Sequence, residues 1–308
     1  MEQKTVISID HGYFQIKTPH HHFTSGVSES VATMNGSKNT LHYLGKSYEV
    51  GTKRKDFDED KTKTEDYFLL TLAAIAKELE TQGICCEQTV EITLLVGLPI
   101  TRLNYDTKPF TDYLARNNEV LYFVYEGNEY KIRIANVQVY VQGFAAIVHE
   151  WYYGELDPDE AVLSVIDIGG WTTDTFMMVE KKAQTDTLDS LNVGMIKMLS
   201  MIQKEINLKT KTTIIQEKIE CYLRGTTTVK PDIKNIIDEQ CRKYAYSLLG
   251  QLKEKGIALE NTQIALIGGG AILLKNYLLE RLDKNETLVI EDVHANAKGY
   301  EDLYHAQQ

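Results

Sequence analysis

The chain has 308 residues, 43% of them hydrophobic and 25% charged, and carries a formal net charge of -11. That length supports more than one hydrophobic core, so two domains are expected. The acidic balance excludes a general attraction to nucleic acid or anionic lipid, so any link to DNA is expected to run through a partner.

The four cysteines, Cys85, Cys86, Cys221 and Cys241, match no zinc or redox spacing and suit a reducing compartment. The N-terminus runs straight into a strand pattern, so no signal peptide is expected. No apolar run approaches the roughly 20 residues of a membrane span. A cytoplasmic protein without a membrane partner is the expectation.

In chain order, residues 5–10 form a β-branched apolar run that reads as a buried strand. A turn at His11-Gly12 and a return strand over 13–18 follow. His20-His21-His22 reads as an exposed loop, because no acidic or cysteine partner stands at metal-ligand spacing. Residues 28–64 read as a small polar insertion, and the charge run over 53–63 as a solvated loop. Phe68, Leu69, Leu72, Ile75, Ala76 and Leu79 recur at helical spacing within 65–82. A strand over 91–96 ends at Gly97-Leu98-Pro99, and a helix is expected over 106–116. Two strands, 120–125 and 130–134, flank Glu126-Gly127-Asn128 as a hairpin. A strand over 137–141 and a helix to about Trp151 close the first half.

The opening pattern then recurs. Residues 161–167 form a second buried strand ending in Asp, Gly169-Gly170 a turn, and 175–179 a return strand. A helical stretch spans about 194–255. A strand over 264–267 leads into Gly268-Gly269-Gly270, which opens a helix. A last strand at 288–290 and a helix from Ala295 complete the chain. The two strand–turn–strand devices lie about half the chain apart, which implies an internal duplication.

Each device suits phosphate chemistry. A glycine at the turn lets backbone N–H groups approach phosphate oxygens. Asp10, at its strand end, can hold Mg through water, and Lys17 supplies positive charge. In the second device, Asp167 mirrors Asp10, Gly169 and Gly170 allow close approach, Thr172 and Thr173 offer hydroxyls, and Asp174 can orient a water. A plain hairpin accounts for either device alone. Gly268-Gly269-Gly270, between a strand and a helix, suits a nucleotide-contact loop, although a tight turn explains it equally. Neither a Walker A sequence nor a dinucleotide fingerprint occurs.

Taken in this order, the segments resemble the actin, sugar-kinase and heat-shock chaperone superfamily. Asp10, Gly12 and Lys17 resemble its first phosphate motif, and residues 165–174 its second. Residues 139–143 resemble the first connecting segment, with Gln142 at the water-positioning glutamine. Gly268 to Gly270 resemble the adenosine motif, and residues 295–300, with Asn296, the second connecting segment. Within the superfamily, Gly97-Leu98-Pro99, the second phosphate motif and Ala295-Asn296-Ala297-Lys298-Gly299-Tyr300 look like ParM-type bacterial actins.

That resemblance implies an α/β actin-like ATPase fold of two duplicated ribonuclease-H-like lobes around a nucleotide cleft. Lobe I would comprise 1–150 with 291–308, and lobe II 151–290 with a helical insertion near 195–255. It implies ATP/ADP and Mg2+ as cofactors. Asp10 and Asp167 would order waters around the metal, and Gln142 and Asp174 would position the hydrolytic water. Gly12, Tyr13, Lys17, Gly169, Gly170, Thr172, Thr173, Gly268, Gly269, Gly270 and Asn296 would contact the nucleotide, with Glu217 and Lys218 as adenosine contacts. Its implied partners are further copies in a filament and a DNA-binding adaptor that links the filament to a plasmid. A small-molecule kinase and a nucleotide-gated scaffold of the same superfamily are the alternatives.

Overall fold

The computed structural model describes residues 3–30, 37–52, 60–84, 88–154, 156–157 and 161–308. The chain divides into two compact units, Met1–Tyr152 with His294–Gln308, and Tyr153–Val293.

Unit 1 begins with β1 (Gln3–His11), β2 (Gln15–Lys17), β3 (His22–Thr24), β4 (Val27–Ser30), β5 (Thr40–Tyr43) and β6 (Lys46–Val50). Helix α1 (Asp66–Thr81), β7 (Val90–Leu98), α2 (Leu103–Ala115), β8 (Val120–Tyr125), β9 (Asn128–Val141) and α3 (Phe144–Tyr153) follow. Among the described residues its sheet runs β3-β2-β1-β7-β9-β8-β5-β6-β4. Strands β1 and β7 pair in parallel, with Ile9 opposite Val96. A strand in the middle of such a sheet is covered on both faces, and β7 is buried without a break from Leu94 to Leu98.

Helix α1 carries the expected apolar positions, and it is buried nearly all round, from Phe68 to Ala76 and again at Glu78 and Leu79. The buried Glu78 carboxylate accepts hydrogen bonds from Thr18 Oγ1, His20 N and His20 Nδ1. His20 and His22 are exposed, while His21 is half-buried and bonds Thr81. The return strand of the first device starts later than the pattern suggests, at Gln15. The two strands expected over 130–134 and 137–141 are one, β9, with a register shift beside Ile92 and Thr93. The N-terminal part of β9, Asn128 to Arg133, pairs antiparallel with β8, and the stretch from Ile132 to Val141 pairs parallel with β7, skipping Ala135 at the irregularity. The β8–β9 turn has φ of 50° at Glu126 and 88° at Gly127. That is a primed hairpin turn, whose twist suits the flanking strands.

Unit 2 contains β10 (Val162–Ile168), β11 (Thr173–Val179), β12 (Lys182–Ala183) and β13 (Asp189–Leu191). Helices α4 (Met195–Thr210), α5 (Gln216–Leu223) and α6 (Pro231–Glu254) come next, then β14 (Gln263–Ile267), α7 (Gly268–Leu278) and β15 (Thr287–Val289). Pro231 stands at the start of α6, where its missing N–H costs nothing. The sheet order is β12-β11-β10-β14-β15, with β13 on β11. Each unit thus places one Asp-ended strand between an antiparallel return strand and a parallel neighbour.

The last helix, α8 (Ala295–His305), returns to unit 1. Tyr300 is fully buried there and stacks on Tyr140 at 5.8 Å. Gly299 is forced, since a Cβ would lie 1.9 Å from Ala145 O. Of the tyrosines, Tyr125 and Tyr130 are core residues, whereas Tyr122, Tyr152 and Tyr153 are exposed. Cys85, Cys86 and residues 53–59 of the charge run lie outside the described residues.

Candidate functional site

In unit 1, β1 delivers Asp10 to the sheet end, where its side chain is only 4% exposed. Lys17, directly across the strand pair, places Nζ 3.2 Å from Asp10 Oδ2. Gln142, at the end of β9, donates from Nε2 to Asp10 Oδ1 at 2.8 Å. Sheet order explains this meeting of residues 132 positions apart, because β1, β7 and β9 are consecutive neighbours. Gly143 N–H donates to Asn296 Oδ1 at 2.9 Å, which ties α8 to the residue following Gln142.

The turn after Asp10 is tight. A Cβ on Gly12 would stand 2.7 Å from Gln15 O. His11 points inward and is fully buried, with Nε2 2.8 Å from Thr71 Oγ1. Thr71 Oγ1 donates to Tyr67 O, so it accepts from His11 and fixes the neutral Nε2–H form. Burial, followed by the nearby Lys61 charge, lowers the His11 pKa to about 3. Within the 53–63 run read as a solvated loop, Asp60 and Lys63 are exposed but Lys61 is not. It is 8% exposed and donates to His11 O at 2.6 Å. Its Nζ lies 4.7 Å from the Tyr13 ring centroid and 5.6 Å from that of Tyr67. Ser25 Oγ donates to Gly12 O at 2.5 Å.

In unit 2, Asp167 and Asp174 are cross-strand partners. Two carboxylates thus stand at the cross-strand positions that Asp10 and Lys17 fill with opposite charges in unit 1. Asp174 Oδ2 accepts from Thr172 Oγ1 at 3.1 Å, and Thr173 Oγ1 donates to Val193 O at 2.5 Å. Gly169 N–H closes the turn onto Thr172 O at 2.9 Å. The first amides of α4 reach back to the same turn, Met195 N–H to Gly169 O and Ile196 N–H to Gly170 O, at 3.1 and 2.9 Å. At the start of α7, Gly268 has φ of +89°, and a Cβ there would stand 2.4 Å from Asp167 Oδ1. A Cβ on Gly270 would strike Ile168 Cγ2 at 2.4 Å, whereas Gly269 is open. Only glycine permits this approach of the α7 N-terminus to the carboxylate. Glu217 and Lys218 are exposed on the first turn of α5, while Ile219 and Glu220 are buried.

The structure therefore gathers Asp10, Lys17 and Gln142 in one unit, and Asp167, Asp174 and Gly268 in the other. Sequence reasoning missed Lys61, Ser25 and the His11–Thr71 pair. Their contacts span loops, and no local spacing announces them. Among the described residues no group of three or more His, Cys, Asp or Glu could hold a metal ion. No helix among them is long and apolar enough to cross a membrane.

Residues 8–144 match a family described as "Actin like proteins N terminal domain", and residues 165–280 one described as "Archaeal actin homologue MreB-like, C-terminal". No curated protein matches the chain in sequence. Among solved structures, it is similar to an archaeal actin homologue in complex with ADP, at TM-score 0.77 and 19% identity over 98% of this chain and 99% of the other. A 15-stranded ParM filament from Clostridium botulinum gives TM-score 0.77 and 20% identity over 99% of both chains. Bacillus thuringiensis ParM with ATP gives TM-score 0.68 and 13% identity over 98% of this chain and 99% of the other.

Proposed function

We propose that this chain, which matches actin-like families over residues 8–144 and 165–280, is an actin-like protein that binds and hydrolyses ATP and assembles into filaments that segregate plasmid DNA through a DNA-bound adaptor. The observation that carries the catalytic reading is Asp10, buried at a strand end and held by Gln142 on one oxygen and Lys17 on the other. That is a carboxylate fixed in place beside a neutral amide and a cation, the parts that phosphoryl transfer needs for positioning and charge neutralisation. Likeness to ParM filaments supports self-assembly, and likeness to ADP- and ATP-bound relatives supports the choice of nucleotide.

The residues fit Mg2+ held through water. Protein carboxylates are present at two strand ends, Asp10 in unit 1 and Asp167 in unit 2. Mg2+ keeps several waters and is commonly bound by one or two carboxylates plus phosphate oxygens, so such a sparse set suits it. When bound, the ion would neutralise charge on the phosphates. Gln142 and Asp174 would orient the attacking water. Gly12, Tyr13, Lys17, Gly169, Gly170, Thr172 and Thr173 would face the phosphates. Gly268, Gly269, Gly270, Glu217, Lys218 and Asn296 would bound the rest of the nucleotide. In this reading the protein acts in the cytoplasm.

Light scattering with pelleting, with and without Mg-ATP, tests the proposal. The expected result is scattering above a threshold concentration that decays as phosphate appears. ATP binding without assembly under any condition would overturn the filament reading and favour a small-molecule kinase or a scaffold.

A further inference from the structure

The two turns share a feature that their sequences do not. In each, two successive backbone carbonyls are held from outside the turn. In unit 2 the holders are backbone amides of α4, on Gly169 O and Gly170 O. In unit 1 they are two side chains, Lys61 Nζ on His11 O at 2.6 Å and Ser25 Oγ on Gly12 O at 2.5 Å. Both side chains are buried, at 8% and 7% exposure. Ser25 holds the turn a second time, through its N–H to Phe14 O at 3.2 Å.

A trans peptide is planar, and its C=O and N–H point in opposite directions. The His11 carbonyl shares a peptide unit with Gly12 N–H, and the Gly12 carbonyl shares one with Tyr13 N–H. Holding each carbonyl therefore fixes the direction of the following N–H, away from Lys61 in one case and away from Ser25 in the other. Successive N–H groups fixed in a turn form an anion-binding concavity. Their value to a ligand lies in being aimed before it arrives, since no reorientation is then needed.

We propose that Lys61 and Ser25 are positioning residues for the first phosphate turn, aiming the N–H groups of Gly12 and Tyr13 at the phosphate chain of a bound nucleoside triphosphate. The proposal rests on the ATP-binding reading above and deepens it. It gives the segments around β3 and before α1 a role in nucleotide recognition. Lys61 is also bracketed by the Tyr13 and Tyr67 rings, which hold its ammonium group against the turn.

The test is calorimetry with Mg-ATP, Mg-ADP and adenosine on wild type, Lys61→Met, Ser25→Ala and Ser25→Thr. Losing one holding bond should weaken Mg-ATP and Mg-ADP roughly 10-fold and leave adenosine within about 2-fold. Ser25→Thr, which keeps the hydroxyl, should bind as wild type does. Equal losses for adenosine and the phosphorylated ligands would overturn the proposal in favour of a structural strut, and so would unchanged affinities. If Lys61→Met does not fold, Ser25→Ala carries the test, because it removes a single oxygen. Wild type that binds adenosine but neither phosphorylated ligand would defeat the ATP reading itself, and the proposal with it.

Discussion

The side-chain amide of Gln142 donates to Asp10 Oδ1 at 2.8 Å, across a sheet that separates the two residues by 132 positions in sequence. This bond leaves the amide oxygen of Gln142 as the atom able to accept from a water. Gln142→Ala should therefore reduce kcat roughly 100-fold and change ATP affinity less than about 3-fold. Single-turnover hydrolysis beside equilibrium binding checks this. A parallel fall in both would show that Gln142 supports the fold of the turn instead.

Asp174 sits opposite Asp167 and accepts from Thr172 Oγ1. Removing its carboxylate removes a group proposed to orient water. Asp174→Ala should keep ATP binding, slow phosphate release roughly 100-fold and prolong the life of any polymer. Steady-state hydrolysis at the wild-type rate would remove Asp174 from the mechanism.

Gly97 is needed for α8 to dock. A Cβ there would stand 1.9 Å from Tyr300 Oη, 2.4 Å from Tyr300 Cζ and 2.9 Å from Gln142 Cγ. Gly97→Ala should destabilise the protein by about 1–3 kcal/mol, as overpacking of a filled core does. Adding Tyr300→Leu removes the ring from that space and should restore part of the loss in urea unfolding. No recovery in the double variant would place the strain elsewhere.

His11 makes stability depend on pH. Its folded pKa is lowered from 6.5 to about 3, by burial first and the Lys61 charge second. Between those values the unfolded chain binds a proton that the folded chain refuses. Stability therefore rises with pH through this window and is lost as pH falls below about 6.5. At pH 5 the loss due to His11 is about 2 kcal/mol relative to neutral pH. Denaturant unfolding at pH 7 and pH 5, compared with His11→Gln, isolates it. An identical pH response in the two proteins would exclude His11 as the source.

Much of the fold was legible in the sequence because its signals are local. The apolar runs ending in Asp10 and Asp167, the glycines behind them and the periodicity of α1 each lie within one element, and each gave the right element type. The division of β9 into two strands failed for a physical reason. Ala135 interrupts the pairing pattern, and only neighbours on both sides show that the strand continues. The reading of the charge run ending at Lys63 fails at one residue, Lys61, while Asp60 and Lys63 are exposed. A lysine reads as solvated until the structure shows a carbonyl and two aromatic faces around it.

The sequence by itself determined which residue types stand at the strand ends and turns, because backbone conformation there depends on glycine and on β-branched runs. It also determined which family the chain matches. Only the tertiary structure decided that Asp10 meets Gln142, that Gly97 faces Tyr300 and that Lys61 and Ser25 hold the first turn. Those pairings depend on sheet order and on where loops return, and the free energy that selects them comes from packing distant segments together, which no window of sequence contains.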